Sequence, residues 1–233
     1  MLKELGFEQT ALGEITLRLR HDGVLGRDVH EIKLNDEFLM SSAFTDGEIA
    51  LADIALSASE KSAPNVMVGG LGLGYTAQAA LVHPSVQSVT VVEALSTIIG
   101  WHRDELLPLG PILMADARCR IVEKDFFALA VQEHGFTQAS GHPIDILLLD
   151  IDHSPRHRLI DDQVEFYCAQ SLSKLHHQLS AGGIFAMWSN DAADQVFIEE
   201  LSQIFTCVDA EEVHFPNPYS GGQASNTIYI AKK

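Results

Sequence analysis

Cysteine and basic residues are scarce in this chain of 233 residues, and each scarcity excludes a class of protein. The three cysteines are far apart and never in a Cys-x-x-Cys spacing, so they provide neither a disulfide framework nor a thiolate metal site. Lysine and arginine number 15 against 32 acids, a formal net charge of -17. Because binding to a phosphate backbone needs clustered basic side chains, we expect no nucleic-acid partner. The separate cysteines favour a reducing, cytoplasmic setting.

Long apolar stretches are also missing. No apolar run approaches the roughly 18 residues that a membrane-spanning helix needs. The first six residues lack the charged and then apolar pattern of a signal peptide. We therefore expect a soluble protein with no membrane partner. A hydrophobic content of 46% is nevertheless enough for a substantial core.

The first quarter of the chain has the pattern of a small antiparallel unit followed by a helix. Residues 15–40 alternate apolar and polar side chains like strands, with a tight turn at Asn35-Asp36. Asp46 is predicted to cap the helix that follows, and the polar residues 57–65 resemble a linker. We expect an N-terminal region of β-hairpins plus a helix over residues 1–60 and a second domain over residues 61–233.

From Val66 onward strands and helices alternate, the order typical of right-handed βαβ units and a parallel sheet. The predicted strands are 66–68, 89–92, 119–122, 144–149 and 184–188, with an antiparallel pair, 207–214 and 227–231, closing the sheet. The predicted helices are 75–82, 96–107, 126–133, 161–179, ended by Gly182-Gly183, and 192–205. The predicted fold class is α/β: a Rossmann-like, doubly wound, mostly parallel seven-stranded sheet with a small N-terminal antiparallel β appendage.

A glycine-rich turn follows the first of these strands, where the sequence reads Gly-Gly-Leu-Gly-Leu-Gly over residues 69–74. Its glycines allow left-handed dihedrals and let main-chain N–H groups approach a ligand. No Gly-Lys-Ser or Gly-Lys-Thr follows, which excludes a Walker-type phosphate loop. The pattern is closer to a dinucleotide fingerprint. The candidate ligand-binding glycines are Gly69, Gly70, Gly72 and Gly74.

Acids follow the next strands, at the sheet edge where ligands bind in open parallel sheets. Glu93 ends the second strand, Asp125 follows the third and Asp150 follows the fourth. A carboxylate after the second strand suits ribose hydroxyls, and an acid after the third places a nucleoside across the sheet, which favours an adenosyl group over a dinucleotide. Asp150 is suited to hold an amine and accept its proton, so that the nitrogen lone pair attacks an electrophilic carbon.

Other chemistries have weaker signals. His153 and His157 flank Pro155 close to Asp150, which makes a metal site an alternative to weigh. Because the proline opposes a helical pair and the segment reads as a loop, we expect no metal. No Gly-x-Ser-x-Gly turn and no suitably placed Cys/His pair indicates covalent catalysis.

Together, these motifs resemble the spermidine synthase family, polyamine aminopropyltransferases with a class I S-adenosylmethionine-dependent methyltransferase-like fold. The resemblance runs from about Val29 to the C-terminus and includes residues 165–167 and 218–223. It implies that Glu93 binds ribose, that Asp125 lies by the adenine and that Asp150 deprotonates the acceptor amine. It also implies a homodimer and an acceptor site that contains Asp152, His153, Tyr219 and Gln223.

Three segments depart from the family pattern. The family's Gly-Gly-Gly-Asp-Gly-Gly is replaced over residues 69–74, so the acid that meets the donor's aminopropyl nitrogen is missing. The family's catalytic loop reads Asp-Ser-Ser-Asp-Pro, and in this chain His153 replaces the second acid. A Tyr-Gln pair of the family is replaced by Gly47-Glu48. Each lost carboxylate weakens the binding of a dication by roughly 1.5–3 kcal/mol. Asp152 and Glu48 are candidate replacements.

Three functions are compatible with these residues. The first is transfer of an aminopropyl group from decarboxylated S-adenosylmethionine to a small amine, with Asp150 as base. The second is methyl transfer from S-adenosylmethionine itself. The third is non-catalytic binding of a nucleoside thioether. We expect the first.

Overall fold

Two β-sheets organise the part of the chain that the computed structural model describes, residues 2–10, 12–35, 37–157 and 166–233. The smaller sheet is antiparallel, with its strands side by side in chain order. These strands are β1 (Leu2–Thr10), β2 (Gly13–Asp22), β3 (Arg27–Leu34) and β4 (Glu37–Ser41). Helix α1 (Asp46–Ala58) connects this sheet to the larger one.

The larger sheet has seven strands within the described ranges. They are β5 (Asn65–Gly69), β6 (Ser88–Glu93), β7 (Cys119–Glu123), β8 (Ile144–Leu149), β9 (Leu179–Ser189), β10 (Cys207–Asn217) and β11 (Gly222–Lys232). Their order is β10-β11-β9-β8-β5-β6-β7, with the five from β9 to β7 parallel and β11 and β10 added as antiparallel strands. This confirms the predicted fold class, including the closing antiparallel pair and the N-terminal appendage.

Helices cover both faces of this sheet, which explains why its central strands are apolar throughout. Alternate residues of β5 and β8 enter two separate cores: Val68 and Leu148 belong to one, and Met67 and Leu147 to the other. The helices after α1 are α2 (Tyr75–Val82), α3 (Ser96–Arg103), α4 (Gly110–Ala115), α5 (Phe126–Ala130), α6 (Gly135–Ser140), α7 (Ala169–Gln178) and α8 (Gln195–Ser202). None of the helices in the described ranges is long and apolar enough to cross a lipid bilayer.

Several predicted boundaries are wrong at the ends of elements. Thr45, not Asp46, is the N-cap of α1, and Asp46 is the first helical residue. The first residues of the helix predicted over 161–179 lie outside the described residues. The observed helix, α7, ends at Gln178, because Leu179 already pairs with Ile144 as the start of β9. Gly182-Gly183 therefore lie within a strand, next to an irregularity in its pairing, and do not terminate a helix.

Three more predicted helices are shorter than expected. Helix α3 ends at Arg103 because Glu105 takes a left-handed conformation (φ 59°), and α4 then begins at Gly110. Helix α5 ends at Ala130, and α8 begins only after Asp194, whose side chain caps it. Strand β1 was not predicted at all.

The strand order reverses between β5 and β8. The chain adds β6 and β7 on one side of β5 and then returns to add β8 on the other side. Ligands bind at such a switch point, beyond the carboxyl ends of the strands. Backbone hydrogen bonds continue the sheet past these ends, from Asp150 N to Gly69 O (2.9 Å) and from Gly70 N to Val92 O (2.9 Å). They bring the glycine turn and the residues that follow β6 and β8 to one edge.

Candidate functional site

A cavity of ≈ 370 Å³ lies at this switch point. Its volume is in the usual range of small-molecule sites. The glycine turn and the residues after β6, β7 and β8 form one side, and the N-terminal sheet, α1, α3 and β9 contribute other lining residues. The carboxylates in its lining are Glu48, Glu93, Asp125 and Asp150. No lysine or arginine is among the described residues that line it, so its titratable lining consists of carboxyl groups and His153.

Two glycines of the turn leave no room for a side chain. Gly70 and Gly72 have φ values of 95° and 46°, a conformation that L-residues rarely adopt. A Cβ on Gly70 would overlap the carbonyl oxygen of Asp150, and one on Gly72 would overlap the sulfur of Met40. The backbone of the turn therefore packs directly on neighbouring elements at the edge of the cavity.

Glu93 is fixed by backbone donors on both sides. Its Oε2 accepts a hydrogen bond from Leu71 N (3.0 Å) and its Oε1 accepts one from Leu95 N (2.8 Å). Burial raises the pKa of Glu93, and these backbone hydrogen bonds oppose that effect. The carboxylate at the end of β6 is thus hydrogen-bonded to the glycine turn through Leu71 and to its own segment through Leu95.

Asp125 has a structural role beside its place in the cavity. Its Oδ1 accepts hydrogen bonds from Phe127 N (2.8 Å) and Ala128 N (3.1 Å), which makes it the N-cap of α5. Both capping bonds use the same oxygen. Phe126 and Phe127 line the cavity beside it and provide an apolar wall.

Asp150 and Glu48 lie close enough to influence each other electrostatically. Thr76 donates its hydroxyl hydrogen to Oδ2 of Asp150 (2.6 Å). Burial raises the pKa of Asp150 to about 6, although the Thr76 hydrogen bond lowers it. Burial, and then the negative charge of Asp150, raise the pKa of Glu48 to about 8. At neutral pH the two carboxyl groups therefore carry fewer than two negative charges.

The structure brings several of the predicted site residues together. Those that line the cavity are Gly70, Gly72, Glu93, Asp125, Asp150 and His153. Gly69 ends β5 against the ring of Phe126, and Gly74 is the N-cap of α2 with a φ of 93°. Burial, followed by the charge of neighbouring His157, lowers the pKa of His153.

The other predicted acceptor residues lie outside this lining. Asp152 is buried and accepts a hydrogen bond from the hydroxyl of Tyr167 (2.6 Å). Tyr219 donates its hydroxyl hydrogen to Asp22, and Gln223 pairs with Pro216 across β10 and β11. Among the described residues no group of three or more His, Cys, Asp or Glu is arranged to hold a metal ion.

His102 contacts the glycine turn, and no pattern in the sequence predicts this contact. The residue is fully buried on α3, and its Nε2 lies 2.8 Å from the carbonyl oxygen of Gly72, so that nitrogen carries the hydrogen. Its Nδ1 is buried with no partner in the described part of the chain. The contact spans thirty residues of sequence, and a histidine in a helix gives no hint of such a partner.

The two sheets and the cavity at the switch point define a class I methyltransferase-like fold. Within it, the chain has the spermidine synthase-like architecture. It matches a spermidine synthase in complex with the transition state analogue AdoDATO at a TM-score of 0.74 and 16% identity, covering 99% of this chain and 74% of that one.

Two further spermidine synthase structures agree. One from Thermotoga maritima matches at a TM-score of 0.73 and 15% identity, covering 99% of this chain and 72% of that one. A probable spermidine synthase from Corynebacterium glutamicum ATCC 13032 matches at 0.61 and 18%, with coverages of 100% and 80%. No family model and no curated protein matches the sequence. At this level of identity the likeness establishes the fold.

Proposed function

We propose that this protein is a transferase that moves an aminopropyl group from decarboxylated S-adenosylmethionine to a small amine. The observation that carries the proposal is the composition of the cavity. Four acidic residues line one space that no described lysine or arginine lines. Cationic and hydroxyl-bearing groups are the natural ligands of such a space.

The donor fits the half of the cavity beside the glycine turn. In this pose the ribose hydroxyls donate to Glu93, whose position the turn fixes. The adenine lies beside Asp125 and packs on the apolar wall formed by Phe126 and Phe127. The sulfonium then lies toward Asp150, which follows β8, the strand that pairs with β5.

Asp150 is the proposed base. It takes a proton from the ammonium of the acceptor, and the freed lone pair attacks the methylene carbon bound to the sulfonium sulfur. A C–N bond forms, the electrons of the C–S bond pass to sulfur, and the sulfur leaves as a neutral thioether. Holding nucleophile and sulfonium together supplies most of the acceleration. A pKa of about 6 keeps Asp150 largely ionised at neutral pH.

Methyl transfer is the second candidate, and the glycine turn favours it, because no acid in residues 69–74 repels the carboxylate of intact S-adenosylmethionine. The rest of the cavity opposes it. That carboxylate would enter a space lined by four acidic residues and would find no lysine or arginine in the described lining.

Calorimetric titration with S-adenosylmethionine, its decarboxylated form and methylthioadenosine, followed by turnover with putrescine, tests the proposal. We expect the decarboxylated donor to bind at least about tenfold tighter, a difference of about 1.4 kcal/mol, and to yield a secondary amine. Tighter binding of the carboxylated donor with methyl transfer establishes the second candidate. Binding of the thioether without turnover identifies a binding protein, and no binding of any of the three refutes the proposal.

A role in polyamine biosynthesis, a homodimer and a cytoplasmic setting belong to the same proposal. The polyamine role and the homodimer rest on the sequence resemblance, and the cytoplasmic setting rests on three cysteines in no paired spacing. The division into residues 1–60 and 61–233 rests on the change of sequence pattern near residue 61.

A further inference from the structure

The first turn of α1 is held tightly on the large sheet. Gly47 is buried, and a Cβ at this position would overlap the indole nitrogen of Trp188 on β9 and the side-chain oxygen of Asn226 on β11. The start of the helix thus has a fixed position. The next residue, Glu48, lines the cavity from this anchored turn.

Asp150 reaches the same cavity from the end of β8, and Thr76 on α2 orients its carboxylate. The other titratable groups that act on this pair are Asp46 on α1 and Tyr75 on α2, and His153 lines the same cavity. Two carboxyl groups from distant segments therefore line one cavity, and no lysine or arginine of the described lining neutralises them.

We propose that Glu48 is the acceptor-selecting residue of this site and that Glu48 and Asp150 together bind the single ammonium group of a primary amine. The inference rests on the proposed function. A primary ammonium has three donors and forms charge-assisted hydrogen bonds with both carboxylates at once. Glu48 thereby replaces, from α1, part of the negative charge that the glycine turn and His153 do not provide.

Within this proposal the ligand-free pair shares one proton near pH 7, because two neighbouring half-buried carboxylates resist full ionisation. Burial raises the pKa of both groups, and the negative charge of Asp150 raises that of Glu48 further, so the proton belongs to the pair. The ammonium takes its place, so binding of an amine near pH 7 releases one proton to solvent. In the reaction one proton of the bound ammonium then passes to the carboxylate pair before the nitrogen attacks. The pair therefore holds one proton again, as it does in the ligand-free protein.

Calorimetric titration with putrescine and with n-butylamine tests this inference, with and without methylthioadenosine. Titrations in phosphate and in Tris, buffers with different ionisation enthalpies, count the protons released. We expect about one proton per amine bound to the wild-type protein near pH 7. For Glu48→Gln we expect no proton release and an amine affinity at least about tenfold weaker. Glu48→Asp keeps the charge and should retain the proton release.

Asp46→Asn is the matched control, because it removes an exposed carboxylate from the same helical turn and should leave proton release unchanged. Circular dichroism verifies that each variant is folded. The inference is overturned if Glu48→Gln binds amines with wild-type affinity, or if binding to the wild-type protein releases no proton. Methylthioadenosine affinity reports on the proposed function separately, since Glu48→Gln should leave it within about twofold.

Discussion

Replacing Glu48 by glutamine should stabilise the ligand-free protein at neutral pH. The pKa of Glu48 is 4.5 in its ordinary state and about 8 in the folded protein, chiefly because the side chain is buried and then because Asp150 is negative. Between those pH values the folded protein binds more protons than the unfolded chain. Stability therefore decreases as pH rises through this window, and a glutamine, which does not titrate, removes the decrease.

The size of the effect follows from the same two pKa values. Each pH unit within the window costs at most about 1.4 kcal/mol. From pH 4.5 to pH 7, a span of 2.5 pH units, the loss reaches roughly 3 kcal/mol. In a chain of this size that corresponds to a melting temperature higher by roughly 6–12 °C for Glu48→Gln. Below about pH 4.5 both proteins carry a neutral group at this position, so their stabilities converge.

Urea unfolding of the wild-type protein, Glu48→Gln and Asp46→Asn at several pH values from about 4.5 to about 8.5 measures this difference. We expect the gain from Glu48→Gln to grow with pH, and Asp46→Asn, exposed in the same turn, to give no such growth. A Glu48→Gln protein that is no more stable than wild type at pH 8, or a gain independent of pH, refutes the reasoning.

Three further substitutions follow from the geometry of the site. Gly70→Ala should destabilise the protein by roughly 2 kcal/mol or more in urea unfolding, because a clash with Asp150 adds to the strain of a left-handed backbone conformation. The control Gly141→Ala, with φ 81° and open space around the new Cβ, should cost only roughly 1 kcal/mol, and equal losses in the two variants would contradict this. His102→Phe removes the hydrogen bond to Gly72 O and should weaken methylthioadenosine binding about fivefold or more, whereas His102→Gln, whose amide still donates, should recover part of that affinity. Unchanged binding in both variants would exclude His102 as a positioning residue. Asp150→Asn should abolish transfer while donor affinity in calorimetry stays near wild type, and undiminished turnover would exclude Asp150 as the base.

The sheet could be predicted because its central strands are continuous apolar runs separated by helical patterns. Residues 144–149 and the helix over 75–82 were predicted with the bounds that the structure has. The acids after these strands needed no knowledge of packing either, since parallel strands end at one edge. Glu93, Asp125 and Asp150 do line one cavity.

Long-range pairing and packing were beyond the sequence pattern. Leu179 continues a helical run, and its pairing with Ile144 is what makes it a strand residue. Strand β1 has an exposed, irregular pattern without clear alternation, and its pairing with β2 defines it. The contact of His102 with the glycine turn is likewise a product of tertiary packing, as is the closeness of Glu48 to Asp150.

A crystal structure of the protein with bound methylthioadenosine tests the central claim most directly. We expect the ribose hydroxyls within hydrogen-bond distance of Glu93, the adenine beside Asp125, and the sulfur directed toward Asp150 and Glu48. A ligand bound outside this cavity, or bound within it with the sulfur directed away from Asp150, would contradict the account.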